Sequence, residues 1–253
     1  MLAMISPQAL PGQSGTPPDL LREQGFCVLS PQQLAAIAGV DLTSLDAWQP
    51  CWNDLPADRY LKDGGRYRYR RHGSFTLDAP RPSGDGLALH AVPHRAHYQP
   101  TTYNALHGGM LRWFEPLAPA LVESPAWARL VGGIGRLLFE VRPEPRWFVE
   151  AHAFRIDTAD GVGRPTPEGA HRDGVDFVAV ILVGRHHIRG GETRVFEADG
   201  PNGVRFTLSE PWSVLLLDDH RVIHESTPIQ PDGEAPHRDT LVLTYRSGGF
   251  LEP

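Results

Sequence analysis

Pro167-Glu168-Gly169-Ala170-His171-Arg172-Asp173-Gly174-Val175-Asp176-Phe177 carries a polar, glycine-punctuated segment directly into the unbroken apolar run 177–183. That run is short, rich in β-branched residues and bounded by turn formers, so it reads as a strand buried on both faces. His171 and Asp173 stand immediately before it, two residues apart. In extended backbone, side chains at that spacing share a face, and an imidazole nitrogen and a carboxylate oxygen can then reach one ion. The same pair is common in solvated turns, so a metal follows only if a third ligand comes from elsewhere in the chain.

Working outward from the run, strand signals recur at short spacing. Residues 190–196 form a Gly-Gly turn entering a strand, and further strands lie at 204–208, 211–217, 222–226 and 238–246. Upstream, residues 146–157 are extended and place Glu150, His152 and Phe154 on one face. Residues 19–25 read as a short helix closed by glycine, followed by a strand at 26–29. Ser30 is an N-cap with Pro31 at the first helical position and Gln33 completing a capping box, and Gly39 ends that helix. A short helix is expected at 57–62, and Ser124 with Pro125 opens a longer one over 126–138. The pattern predicts a mainly β fold with flanking helices, a single sandwich or jelly roll. Residues 1–18 are expected to be a mobile tail and 19–253 a single domain, its helical and strand N-terminal part running to about 145 and its jelly-roll core over about 146–247.

Composition narrows the function classes. The 253 residues are 41% hydrophobic and 21% charged, and Gly 26 with Pro 24 favour turns and short strands over long helices. A net charge of -6 argues against a general grip on nucleic acid. No apolar run is long enough to span a bilayer, so no membrane partner is expected. Cys27 and Cys51 lack C-x-x-C spacing and are too few for a disulfide scaffold, which suits a cytoplasmic location.

Two further stretches carry chemistry. Residues 66–71 alternate Arg with Tyr, which sets Arg66, Arg68 and Arg70 on one strand face; they form either a solvated surface or an anion-binding wall for a carboxylate-bearing ligand. The polar, aromatic segment 97–117 with its Gly108-Gly109 break reads as a loop able to line a pocket. For the third metal ligand, His220 and His224 flank Val222 at alternating positions. His220 follows two aspartates in a turn, whereas His224 lies within the extended 222–226 segment and is the better held, so His224 is preferred. Two His and one carboxylate on a face of an octahedron leave positions open. Fourteen residues on, Arg238 and Thr240 share a strand face, a guanidinium and a hydroxyl suited to holding a carboxylate.

In that order, His171-x-Asp173, Gly190-Gly191-Glu192-Thr193, His224 and Arg238-x-Thr240 resemble the Fe(II)/2-oxoglutarate-dependent dioxygenases. More narrowly, residues 171–177, 103–109 and 238–244 resemble the bacterial group of BsmA-like proteins and free L-isoleucine hydroxylases, over roughly residues 60–247. The resemblance implies a double-stranded β-helix (cupin-like) core, Fe(II) held by His171, Asp173 and His224, and 2-oxoglutarate anchored by Arg238 and Thr240. It also implies oxidative decarboxylation of 2-oxoglutarate by O2 coupled to hydroxylation of a small molecule, expected to be a free L-amino acid. The presence of Asp173 argues for hydroxylation over halogenation. Candidate substrate-binding residues are Arg66, Arg68, Tyr103, Asn104, His152 and Asp176. Two other readings stay open: a jelly-roll sensor without turnover, and the same chemistry on a peptide or nucleobase with the arginine strand as docking surface.

Overall fold

The 177–183 run is the first part of the strand Phe177–His186, and its two faces are buried against different partners. The computed structural model describes residues 3–4, 15–80, 88–104 and 106–253. Along them run β1 (Ala3–Met4), α1 (Pro17–Gln24), β2 (Phe26–Leu29), α2 (Pro31–Ala38), α3 (Leu42–Asp46), a 3-10 turn (Gln49–Trp52), β3 (Arg68–Asp78) and β4 (Leu89–Ala91). Next come α4 (Pro119–Val122), α5 (Pro125–Val141), β5 (Arg146–Asp157), β6 (Phe177–His186), β7 (Ile188–Gly190), β8 (Thr193–Glu197) and β9 (Gly203–Phe206). The chain closes with β10 (Val214–Asp218), β11 (Val222–Ser226), β12 (Ile229–Pro231) and β13 (His237–Arg246).

Seven strands form an antiparallel sheet in the order β2-β10-β6-β13-β5-β3-β4, and four form a second in the order β1-β9-β8-β11. β12 and β7 make a small third pair. The order places strands distant in sequence side by side, as a jelly roll requires. Alternation along each central strand then separates two interiors. Phe177, Ala179, Ile181 and Val183 of β6, with Leu241, Leu243 and Tyr245 of β13 and Trp147, Val149, Ala151 and Ala153 of β5, pack under the helices. Val178 and Leu182 face the other way, onto Val195, Phe206, Leu215 and Val222 between the sheets. The second face of β13, β5 and β3 opens into the pocket described below.

The helices are fixed by the local signals expected of them. Ser30 Oγ accepts from the Gln33 amide while the Gln33 side chain accepts from the Ser30 amide, and Gly39 ends α2 at φ +63°. Ser124 Oγ accepts from the Ala126 amide to start α5. Within α5, a Cβ on Gly133 would come within 2.5 Å of the Ile37 carbonyl oxygen, so glycine is what lets α5 approach α2.

Two expectations are corrected. No helix forms at 57–62; the Asp58 amide donates to the Arg68 carbonyl and the Arg70 amide to that of Pro56, so this segment pairs with β3 and the ladder prevails over helix propensity. The unassigned residues before it instead fold as α3 and the 3-10 turn around the buried Trp48 and Trp52. The expected tail over 1–18 is interrupted: Ala3–Met4 pairs parallel to β9, and Pro17 and Pro18 open α1. Residues 1–2 and 5–14 of that span lie outside the described residues, as does Ala105 of the loop. No described helix is long and apolar enough to cross a membrane.

Candidate active site

The pair that organises the site is His171 and His224. The amide of each donates to the carbonyl of the other at 3.0 Å, an isolated antiparallel bridge that extends the second sheet by one residue beyond β11. Directly opposed residues in such a pair project to the same side, and the two rings lie 4.7 Å apart, centroid to centroid. Asp173 is not on a strand, as the spacing suggested; it stands in the loop between this bridge and β6. Its carboxylate nevertheless meets both rings, Oδ1 at 3.8 Å from His171 Nε2 and Oδ2 at 3.8 Å from His224 Nε2. The three donor atoms all fall within 4.8 Å of one another.

Asp219, which reads in sequence as a mere interruption of a strand, holds the loop. It is fully buried, and its carboxylate accepts from the amides of Asp173 (2.9 Å), Gly174 (2.8 Å) and Val175 (3.1 Å). Gly174 takes φ +80°, a turn that leads the chain from Asp173 into β6 and that an L side chain rarely adopts. On the other side, Gln99 donates to the Asp173 carbonyl, and Thr166 Oγ1 exchanges hydrogen bonds with the backbone of Ser226.

The donor chemistry fits a divalent metal. His171 Nδ1 donates to the Gly169 carbonyl at 3.0 Å, which fixes the tautomer and leaves the Nε2 lone pair toward Asp173. His224 Nδ1 is buried without a partner, and burial with the neighbouring His171 pushes His224 down to about 3, so the ring is held neutral as a ligand must be. Burial pushes the Asp173 carboxyl up, against the pull of His171. His220 is half exposed, sits 3.4 Å from Asp176, and is not part of the group.

β13 supplies the adjoining wall. Arg238 and Thr240 both face the cavity, beside a β-bulge where the β13–β6 register shifts between Asp239 and Thr240. Arg238 is 4% exposed, and its guanidinium has no hydrogen bond or carboxylate partner among the described residues. Burial and the nearby Arg185 hold it down to about 10. A buried unpaired cation costs several kcal/mol in a folded protein, so the pocket is built for an anion.

The opposite wall comes from β3, β5 and the loop before α4. Arg68 and Arg70 are buried and line the cavity; Arg68 Nε donates to Asp58 at 2.8 Å. The arginine face is therefore a pocket wall and not a solvated or docking surface, while Tyr69 packs toward the helical side. Arg70 donates to His152 Nδ1 at 2.6 Å, which leaves the proton of neutral His152 on Nε2. His72 Nε2 and His97 Nδ1 each donate to Glu150 at 3.1 Å. His72, His97, Glu150 and His152 thus lie close enough to share a metal, yet Arg70 and Glu150 already engage them and Arg70, Arg95 and Arg112 surround them with positive charge.

Of the other sequence candidates, Asn104 lines the cavity, its amide donating to Gln99 at 3.0 Å. Three do not. Arg66 is exposed and lines a separate surface cleft; it precedes β3, so the alternation that buries Arg68 and Arg70 does not extend to it. Tyr103 packs on Gly174 at the outer side of the metal loop. Asp176 accepts from Arg142 at 2.5 Å and from the amide and hydroxyl of Ser247, a structural tie away from the cavity. Sequence reasoning did not single out Arg112 and Glu168, which line the cavity, or Asp219, which holds the loop of Asp173. Glu168 was in the opening stretch, but nothing local marks a carboxylate as unpaired.

The profile of the 2OG-Fe dioxygenase family matches residues 49–244, which contain all of the cavity residues named above. The chain belongs to that family. Its members use Fe(II), 2-oxoglutarate and O2, and the protein is a non-haem iron dioxygenase with a jelly-roll fold. Among solved structures it is 58% identical to a BsmA homolog from Methylobium petroleophilum PM1, covering 97% of each chain with a TM-score of 0.89. IDO from Bacillus thuringiensis shares the fold at 17% identity, with 93% of this chain and 98% of that one covered and a TM-score of 0.69. The Fe(II)/α-ketoglutarate-dependent dioxygenase TqaL does so at 20%, with 90% and 84% covered and a TM-score of 0.65. No curated protein matches the sequence.

Proposed function

We propose that this dioxygenase hydroxylates a small free L-amino acid, with Fe(II) on His171, Asp173 and His224 and the distal carboxylate of 2-oxoglutarate on Arg238 and Thr240. The observation that carries the reading is the buried, unpartnered Arg238 on the wall beside the His/Asp/His group. A guanidinium in that position pairs with a carboxylate through two parallel N–H donors, and the Thr240 hydroxyl adds a third. Iron with 2-oxoglutarate and O2 supplies the oxidising power for a C–H bond. The protein's own part is placement. The Gly169 carbonyl and the Asp219 carboxylate keep His171 and Asp173 oriented, and Val175, Val180 and Val242 line the cavity against bulk water. Phe154 and Ile156 add apolar surface suited to an aliphatic side chain.

The enclosed arginine wall favours a small substrate over a docked polymer, because Arg68 and Arg70 are inside the cavity. The test is 2-oxoglutarate consumption with Fe(II) across the free amino acids, with mass detection of a one-oxygen gain. Turnover confined to peptides or nucleobases would overturn the substrate; 2-oxoglutarate binding without any turnover would point to a sensor.

A further inference from the structure

Resting on the reading above, the geometry points to Arg112 and Glu168 as a two-ended clamp for a zwitterion: Arg112 takes the α-carboxylate of the substrate and Glu168 its α-ammonium. The inference starts from which charges in the cavity are already answered. Arg68 is paired with Asp58, and Arg70 is balanced by Asp58 and Glu150. Asp173 belongs to the metal group and Arg238 to 2-oxoglutarate. One cation and one anion remain.

Arg112 is 2% exposed and has no carboxylate within ion-pair distance among the described residues. Its one side-chain hydrogen bond among the described residues is a long one, Nη2 to Gln99 Oε1 at 3.4 Å, and its buried Nε finds no partner among them. Burial, together with nearby Arg68, holds its pKa down. Among the described residues Glu168 makes no hydrogen bond through either oxygen; Oε2 is buried and unpaired, and Oε1 lies 3.6 Å from His171 Nε2. Both side chains line the same cavity as the metal group. A buried charge left unpaired is costly, and two of opposite sign in one small cavity are both satisfied by a ligand that is itself neutral overall but charged at each end. A free α-amino acid has that form, and Phe154 and Ile156 remain for its side chain. His152, whose Nε2–H is left free by the Arg70 hydrogen bond, adds a neutral donor on the carboxylate side.

The experiment is calorimetric titration of the anaerobic, Fe(II)- and 2-oxoglutarate-loaded full-length protein with L-isoleucine, L-leucine, L-valine and L-methionine. The tightest binder is then compared with its two half-molecules; for L-isoleucine these are 3-methylpentanoate, which lacks the amine, and 2-methylbutylamine, which lacks the carboxylate. Glu168→Gln is expected to weaken the amino acid by roughly 30-fold or more while leaving the amine-free acid unchanged. Arg112→Gln is expected to weaken it similarly while leaving the carboxylate-free amine unchanged, and Arg112→Lys to recover part of the loss. Should Arg112→Gln fail to fold, Glu168→Gln and Arg112→Lys still decide the matter. Equal losses for whole and half molecules would overturn the clamp. So would iron loss from Glu168→Gln with amino-acid affinity intact, which would make Glu168 a metal-side residue. If no free amino acid binds at all, the substrate reading falls and the clamp with it; if one binds and neither variant alters it, the clamp alone falls.

Discussion

His171 and His224 exchange both backbone hydrogen bonds at 3.0 Å, so the imidazole pair is set by backbone pairing and not by side-chain packing alone. The bridge joins a loop residue to β11 across 52 intervening positions and orients both rings toward Asp173. If these three residues hold the iron, His171→Ala, Asp173→Ala and His224→Ala should each abolish iron-dependent turnover and lower bound iron to near background, while His220→Ala retains both. Metal analysis of the purified variants checks this. Iron loss on His220→Ala with His224→Ala intact would overturn the ligand set.

Asp219 makes a second, independent test of the same architecture. Three amides converge on its carboxylate, and an amide left unpaired in a buried site costs about 1–3 kcal/mol. Asp219→Ala should therefore destabilise the fold by a few kcal/mol, and Asp219→Asn, which keeps one acceptor oxygen, by less. Because Asp219 orients the loop that carries Asp173, the Asn variant should also weaken iron by about 10–100-fold. Chemical denaturation and iron titration together check both; unchanged iron affinity in a folded Asp219→Asn would remove its positioning role.

What was legible beforehand divides along local and non-local lines. The strands at 26–29, 146–157, 177–183, 222–226 and 238–246, the capping box at Ser30 and the N-cap at Ser124 rest on residues close in sequence, and they stand where the sequence put them. That His171, Asp173 and His224 come together was legible because metal chemistry constrains residue type, although the loop conformation of Asp173 was not. The helix expected at 57–62 failed because its backbone partners lie on β3. Asp219, Arg112 and Glu168 were invisible for a different reason. Their significance lies in which partners they have or lack in three dimensions, and no spacing encodes that.

The histidines around Glu150 predict a pH dependence of stability. Burial pushes His97 down to about 4 and also lowers His72 and His152, so all three are neutral when folded and take protons more readily when unfolded. The unfolded state then binds more protons below pH 6.5, and stability falls as pH drops from there toward 4. Glu150, held well below the usual carboxylate range despite burial by His97 and His72, acts in the same direction below its ordinary value. For His97 alone, a shift from 6.5 to about 4 corresponds to roughly 3 kcal/mol at full protonation. Denaturation at a series of pH values should show a plateau above 7 and a decline below 6.5 that is shallower in His97→Gln; the same slope in both proteins would rule the histidine out.

Arg238 gives the most direct test of the co-substrate site. It is buried, has no partner among the described residues and faces the cavity from β13, and Arg246, further along the same strand, turns instead to the Gly249 carbonyl. Truncating one partner of a buried charge pair costs about 2–5 kcal/mol. Arg238→Ala should then raise the apparent constant for 2-oxoglutarate by roughly 30-fold or more, at about 1.4 kcal/mol per factor of ten. Iron binding should survive, since Arg238 is not in the His/Asp/His group. Arg238→Lys should recover only part of the affinity, because an ammonium offers a point charge without the planar two-donor fork. Titrating 2-oxoglutarate at fixed iron and saturating primary substrate separates these outcomes. An unchanged dependence in Arg238→Ala would leave its buried charge without a ligand and remove it from the site.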